Sequence, residues 1–141
     1  MKLDGKKILL VEDDNFIGDM FIRKLTAEGA LCTRAVSGSD GLRKLKEGNN
    51  DFDIIITDVM MAQMDGYEMI TKIKTIEAAK SIPVIVLTNR TSLTEDTIKI
   101  VNLDIKGLFI KSDTSLSELT DKIAKIIADK RPITPLTQGL S

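Results

Sequence analysis

Five short runs of Ile, Val and Leu constrain this chain most, because none of them alternates polar with apolar residues. They fall at Lys7 to Val11, Leu31 to Val36, Asp53 to Thr57, Pro83 to Leu87 and Gly107 to Ile110. A strand with one face in water alternates, whereas runs such as ILLV, DIIIT and PVIVL suit strands covered on both faces by helices, as in a parallel sheet. Longer amphipathic stretches separate the runs, so the chain reads as five βα units of the α/β class. The last helix is the clearest: Leu116, Leu119, Ile123, Ile126 and Ile127 share one face, and Ser115 and Glu118 have the spacing of a capping box. It is expected to end near Lys130. A single globular domain over residues 1–130 follows, since 141 residues suit one core. Residues 131–141, broken by proline, are expected to form a C-terminal tail or the start of a linker.

Composition works by exclusion. Twenty Lys and Arg against 21 Asp and Glu leave a net charge of -1, which gives no electrostatic attraction to nucleic acid. No apolar run approaches the roughly 18 residues that span a bilayer, and the first residues, MKLDGKK, are polar. The expectation is a cytoplasmic protein with neither direct nucleic-acid binding nor membrane insertion. Cys32 is the only cysteine, which excludes an internal disulfide and favours a buried structural thiol. There is no histidine. The usual zinc ligand and general base are therefore missing, and the chain cannot itself supply a phosphohistidine.

In an open parallel sheet, ligands sit beyond the carboxyl ends of the strands, where strand order reverses. Glu12, Asp13 and Asp14 follow the first strand, Asp58 the third, Thr88 and Asn89 the fourth, and Lys111 the fifth. Clustered carboxylates raise one another's pKa, so such a group needs a cation or the lysine to compensate. Hard oxygen ligands without His or Cys point to Mg²⁺. Asp58 can then act as a nucleophile toward an activated phosphoryl group, with Mg²⁺ and Lys111 neutralising the equatorial oxygens. Thr88 can donate its hydroxyl to a phosphoryl oxygen and so couple the site to the next helix.

The segments ILLVEDD, DIIITDVMMAQMDGYEM, IPVIVLT and GLFIKSD, in this order, closely resemble the receiver domains of two-component response regulators, over roughly residues 5 to 129. The resemblance implies the flavodoxin-like (βα)5 three-layer sandwich, with parallel sheet order 2-1-3-4-5. It implies that Glu12 and Asp13 bind the metal, with the Met60 backbone carbonyl as a further Mg²⁺ ligand. Asp58 would be the phosphoacceptor, Thr88 the switch hydroxyl and Lys111 the phosphate-contacting lysine. The implied partners are a sensor histidine kinase or histidine phosphotransfer protein and a downstream protein target, with room for a phosphorylation-linked dimer. Such a module is a signalling receiver rather than an enzyme, catalysing only its own phosphotransfer and autodephosphorylation. Output is expected through the fourth helix, fifth strand and fifth helix.

Three positions depart from that family's pattern. Ala62 stands where proline is common, and Ser112 where a proline, often cis, follows the lysine. Leu108 occupies the place of a switching aromatic, with Phe109 expected on the opposite face of the strand. Plainer roles suit other residues: Asp14 as a helix N-cap, Asp65-Gly66 as a turn and helix start, Met60, Met61 and Met64 as packing and loop residues, and Lys72, Lys74 and Lys80 as a solvated face. Two other functions fit the fold. A phosphatase or phosphotransferase with an aspartyl-phosphate intermediate needs a second aspartate two residues after its nucleophile, where Met60 stands. A flavin-binding or scaffolding module needs no acidic cluster, and the strand ends lack a phosphate-cradling glycine loop.

Overall fold

The computed structural model describes residues 1–59, 61, 64–89, 95–111 and 114–129. The apolar runs form five parallel strands: β1 (Lys7–Val11), β2 (Leu31–Ala35), β3 (Ile54–Asp58), β4 (Val84–Thr88) and β5 (Gly107–Ile110). They lie in the order β2-β1-β3-β4-β5. Between and after them run α1 (Asn15–Ala27), α2 (Gly38–Glu47), α3 (Gly66–Ile73), α4 (Glu95–Val101) and α5 (Leu116–Ala128). Strand order and class are those expected of the flavodoxin-like sandwich. Among the described residues, no helix is long and apolar enough to cross a membrane.

The nearly unbroken hydrophobicity of β1, β3 and β4 has the cause inferred from the sequence. Successive strand residues point to opposite faces, and each face meets its own layer. Leu9, Val11, Ile55, Val84 and Val86 pack with Leu45 of α2, with Met69, Ile70 and Ile73 of α3 and with Ile100 of α4. Ile8, Leu10, Ile54, Ile56, Ile85 and Leu87 pack with Phe21 and Leu25 of α1 and with Leu119, Ile123 and Ile127 of α5. Leu108 joins the first cluster and Phe109 the second, so β5 presents its aromatic ring toward α5, as the alternation requires. Cutting one of these buried Leu or Ile side chains back to Ala costs about 2–5 kcal/mol. The sheet is thus a stiff base for whatever its carboxyl edge carries.

Four helices begin in the same way. The side chains of Asp14, Ser37, Asp65 and Ser115 accept hydrogen bonds from the backbone N–H groups of Ile17, Asp40, Glu68 and Glu118, satisfying donors that an uncapped first turn leaves free. Asp14 and Asp65 are therefore caps, as expected.

Two strands start one residue later than the apolar runs suggest. Pro83 has no N–H for a ladder and offers only its carbonyl, to Ile55 N at 2.9 Å. The Asp53 side chain turns back to accept from Lys7 N at 2.8 Å. At the other end, Asp58 pairs with Leu87 and Thr88 with Ile110. Both site residues thus close their strands instead of following them. β2 ends at Ala35, one residue early, leaving Val36 exposed. Helix α5 ends at Ala128 with Asp129 as its cap, close to the expected Lys130. Cys32 is only half-buried; it packs at the edge of the α1/α5 layer, and burial raises its thiol pKa.

Candidate functional site: an acid and lysine cluster at the sheet edge

Strand order reverses between β1 and β3, and the crevice beyond their carboxyl ends holds the cluster. Glu12 follows β1, and its backbone N–H is tied to the Ala35 carbonyl at 3.0 Å. That tether directs its side chain inward, where it is 1% exposed, while Asp13 remains in solvent. Asp58 closes β3 and is 8% exposed. Glu12, Asp13 and Asp58 each offer a carboxylate oxygen within 4.8 Å of the others. The lysine comes from the far side. Lys111 Nζ donates to Glu12 Oε2 at 3.1 Å, to Glu12 Oε1 at 3.3 Å and to Asp58 Oδ2 at 3.1 Å. The other Asp58 oxygen, Oδ1, accepts from Val59 N at 2.7 Å.

Among the described residues one ammonium faces three carboxylates, and Glu12 registers the excess negative charge. Burial, followed by the neighbouring Asp58 charge, pushes the Glu12 carboxyl up to about 7, against the pull of Lys111. Burial works to lower the Lys111 pKa, but Asp58 and Glu12 together hold it above its ordinary value. The donor set is all hard oxygen with one solvent-facing member, Asp13. These are the residues that could hold a hard divalent cation, and its charge would relieve the repulsion that Lys111 only partly offsets.

Thr88 is fully buried, and its hydroxyl donates to the Asn89 carbonyl at 3.2 Å. Its backbone carbonyl accepts from Lys111 N at 2.8 Å, so the threonine and the lysine share a rigid link. The Met60 carbonyl, Ala62, the Lys111-Ser112 bond and the tail from 131 to 141 lie outside the described residues. Met61 and Met64 pack partly buried against the α2/α3/α4 layer, as packing residues do.

Two residues contribute more than the sequence reading assigns them: Gly66 reads only as a helix start, and Arg34 is passed over. Gly66 opens α3 so close to the end of β3 that a Cβ there would lie 2.3 Å from the Asp58 carbonyl oxygen. Arg34, a lone cation inside an apolar-leaning strand, reaches from β2 across β1 to the acidic loop, donating to the Glu12 carbonyl at 2.9 Å. The one signal for it was its charge within that run.

The sequence matches the response regulator receiver domain over residues 8–124. It is 33% identical over 122 residues to the probable transcriptional regulator ycf29 of Pyropia yezoensis, covering 86% of this chain and 53% of that protein. To Protein PilG of Pseudomonas aeruginosa it is 30% identical over 115 residues, covering 82% of this chain and 78% of PilG. The chain spans about half the length, or less, of ycf29 and the transcriptional regulatory proteins matched beside it. The fold superposes on a response regulator receiver domain protein from Clostridium thermocellum with a TM-score of 0.79 at 27% identity, covering 89% of this chain and 96% of that one. Receiver domains are the phosphorylation-dependent signalling modules of two-component systems; they work with histidine kinases or phosphotransfer proteins and bind Mg²⁺ at an acidic pocket. With most of its length matched and its strand order in agreement, this chain belongs to the response regulator receiver domain family.

Proposed function

We propose that this chain accepts a phosphoryl group on Asp58 from a histidine kinase or histidine phosphotransfer protein, and passes the signal on by a conformational change read by a partner protein. The observation that carries this reading is Lys111 Nζ bridging Glu12 and Asp58 at 3.1 Å each, beside a third carboxylate, at the carboxyl edge of the sheet. In the transfer, an Asp58 carboxylate oxygen attacks phosphorus, the P–N bond of the donor phosphohistidine breaks, and the imidazole leaves with the bonding pair. Val59 N and Lys111 Nζ hold the two Asp58 oxygens in fixed directions, so little reorientation is needed before attack. Lys111 also donates to the oxygens on which charge collects.

Glu12, Asp13 and Asp58 would hold Mg²⁺, with the Met60 carbonyl as a further ligand. The ion would supply charge neutralisation at the transferring oxygens. Thr88 is the switch: its hydroxyl leaves the Asn89 carbonyl for a phosphoryl oxygen, drawing the loop after β4 inward. Two charge-assisted hydrogen bonds, from Thr88 and Lys111, contribute roughly 1.5–3 kcal/mol each. That approaches the roughly 5.5 kcal/mol that swings an equilibrium from 1:99 to 99:1. Leu108 in the α2/α3/α4 layer leaves no aromatic on that face of β5, so the readout passes through α4 itself, where Ile98 and Val101 are exposed. The chain works in the cytoplasm, catalyses only its own phosphotransfer and dephosphorylation, and has room for a phosphorylation-linked dimer.

The test is incubation with acetyl phosphate in Mg²⁺ or in EDTA, followed by intact mass. The expected result is a gain of one phosphoryl group in Mg²⁺ alone, stable to acid and lost in base. A gain of equal size in EDTA, or none in Mg²⁺, would refute the reading.

A further inference from the structure

We propose that Arg34 is a positioning residue that clamps the acidic loop after β1, fixing the backbone on both sides of Asp13 so that its carboxylate stays beside those of Glu12 and Asp58. The proposal rests on the reading of that cluster as a divalent-cation site. Arg34 lies on β2 opposite Leu10 of β1, one strand removed from the crevice. Its Nη2 donates to the Glu12 carbonyl at 2.9 Å and to the Asp14 carbonyl at 3.1 Å, and these two carbonyls bracket Asp13. Nη1 lies 3.7 Å from Asp19 on α1. The guanidinium is thus held between the loop and the first turns of the helix that the loop feeds.

The slot it occupies exists because residue 18 is glycine. A Cβ on Gly18 would lie 2.5, 2.6 and 2.8 Å from Arg34 Cζ, Nε and Nη2, closer than side chains pack. Among the described residues, no group accepts from the buried Arg34 Nε. The two carbonyls, with Asp19 beside Nη1, hold the group in place. The clamp has a clear task. Three carboxylates within 4.8 Å repel one another, and Asp13, the exposed one, is free to turn outward unless its backbone is fixed. A planar fork suits two carbonyls better than a flexible ammonium does.

The sign of the effect separates this role from simple electrostatics. A cation near the pocket opposes Mg²⁺, so if Arg34 acted only through its charge, Arg34→Met would tighten Mg²⁺ binding and Gly18→Ala, which keeps the charge, would change nothing. The clamp requires both substitutions to weaken it. Loss of an outer-shell partner typically costs 10–100-fold in metal affinity, and a loss on the order of tenfold is expected here. Calorimetric titration of the full chain with MgCl₂ at pH 8 measures this. Amide exchange at residues 13–15 in metal-free protein should speed up in both variants. If Arg34→Met does not fold, Gly18→Ala carries the test, since alanine favours the helix that glycine weakens. Unchanged or tighter Mg²⁺ binding in Gly18→Ala would overturn the clamp, and so would unchanged exchange. Failure of the wild type to bind Mg²⁺ would overturn the cation site itself.

Discussion

Replacing Lys111 with methionine removes the only cation among the described residues that touches both Glu12 and Asp58, and the structure sets the size and the pH dependence of the damage. Each contact at 3.1 Å is worth about 5 kcal/mol of Coulomb energy at an effective dielectric near 20. Desolvation consumes much of that. Deleting one partner of a buried pair costs about 3–5 kcal/mol net, because the surviving charges stay buried. Glu12 has an escape through protonation. Its folded pKa, about 7, lies above the ordinary 4.5, so the stability it contributes is complete below 4.5 and is lost as pH rises through about 7. Without Lys111 the folded value climbs further and the loss steepens.

Lys111→Met should therefore cost about 3–5 kcal/mol at pH 8 in EDTA. At pH 5, with Glu12 neutral, only the Asp58 contact is missed and the cost falls to roughly 1.5 kcal/mol. With a urea slope near 2 kcal/mol per molar, the midpoint falls by about 2 M at pH 8 and by less than about 1 M at pH 5. Urea unfolding followed by circular dichroism gives both numbers. Equal losses at the two pH values would show that Glu12 and Lys111 are not coupled as described.

Other consequences can be checked separately. Mg²⁺ must displace the proton that Glu12 holds below about 7, so affinity should rise between pH 6 and pH 8 with proton release at the lower value; calorimetry in buffers of different ionisation enthalpy measures this, and a flat profile would contradict it. Gly66→Ala forces a methyl group to 2.3 Å from the Asp58 carbonyl, so it should cost about 1–3 kcal/mol in urea unfolding and slow phosphate uptake by shifting Asp58. Asp65→Ala removes the cap of α3 and should cost about 1 kcal/mol while leaving uptake intact, which a thermal melt and a phosphorylation assay would show together.

The sheet was legible because burial on both faces imprints continuous apolar runs, and the site because strand ends locate residues without any knowledge of side-chain direction. Both advantages stop at tertiary contacts. Lys74 reads as one of a row of solvated lysines, yet it is half-buried, donates to the Asp104 carbonyl at 3.2 Å, and has its pKa lowered by burial. Nothing local distinguishes it from Lys72, because the carbonyl it meets lies on another part of the chain. Arg34 is a similar case: its partners sit on the loop of a neighbouring strand, and its space depends on a glycine in a helix. The Thr88 hydroxyl reads as a donor to a phosphoryl oxygen once phosphate is present, and nothing in that reading points to the Asn89 carbonyl that the hydroxyl meets here. The one-residue shifts of β3 and β4 come from pairing partners and from Pro83, and a run of apolar residues cannot encode the former.

Chemical trapping decides whether Asp58 itself carries the phosphoryl group. After incubation with acetyl phosphate and Mg²⁺, borohydride reduces an aspartyl phosphate to homoserine, and peptide mass spectrometry locates the change. Homoserine is expected at position 58 in the wild type and nowhere in Asp58→Asn. Homoserine at Asp13 or elsewhere in the wild type, with position 58 intact, would contradict phosphorylation at Asp58.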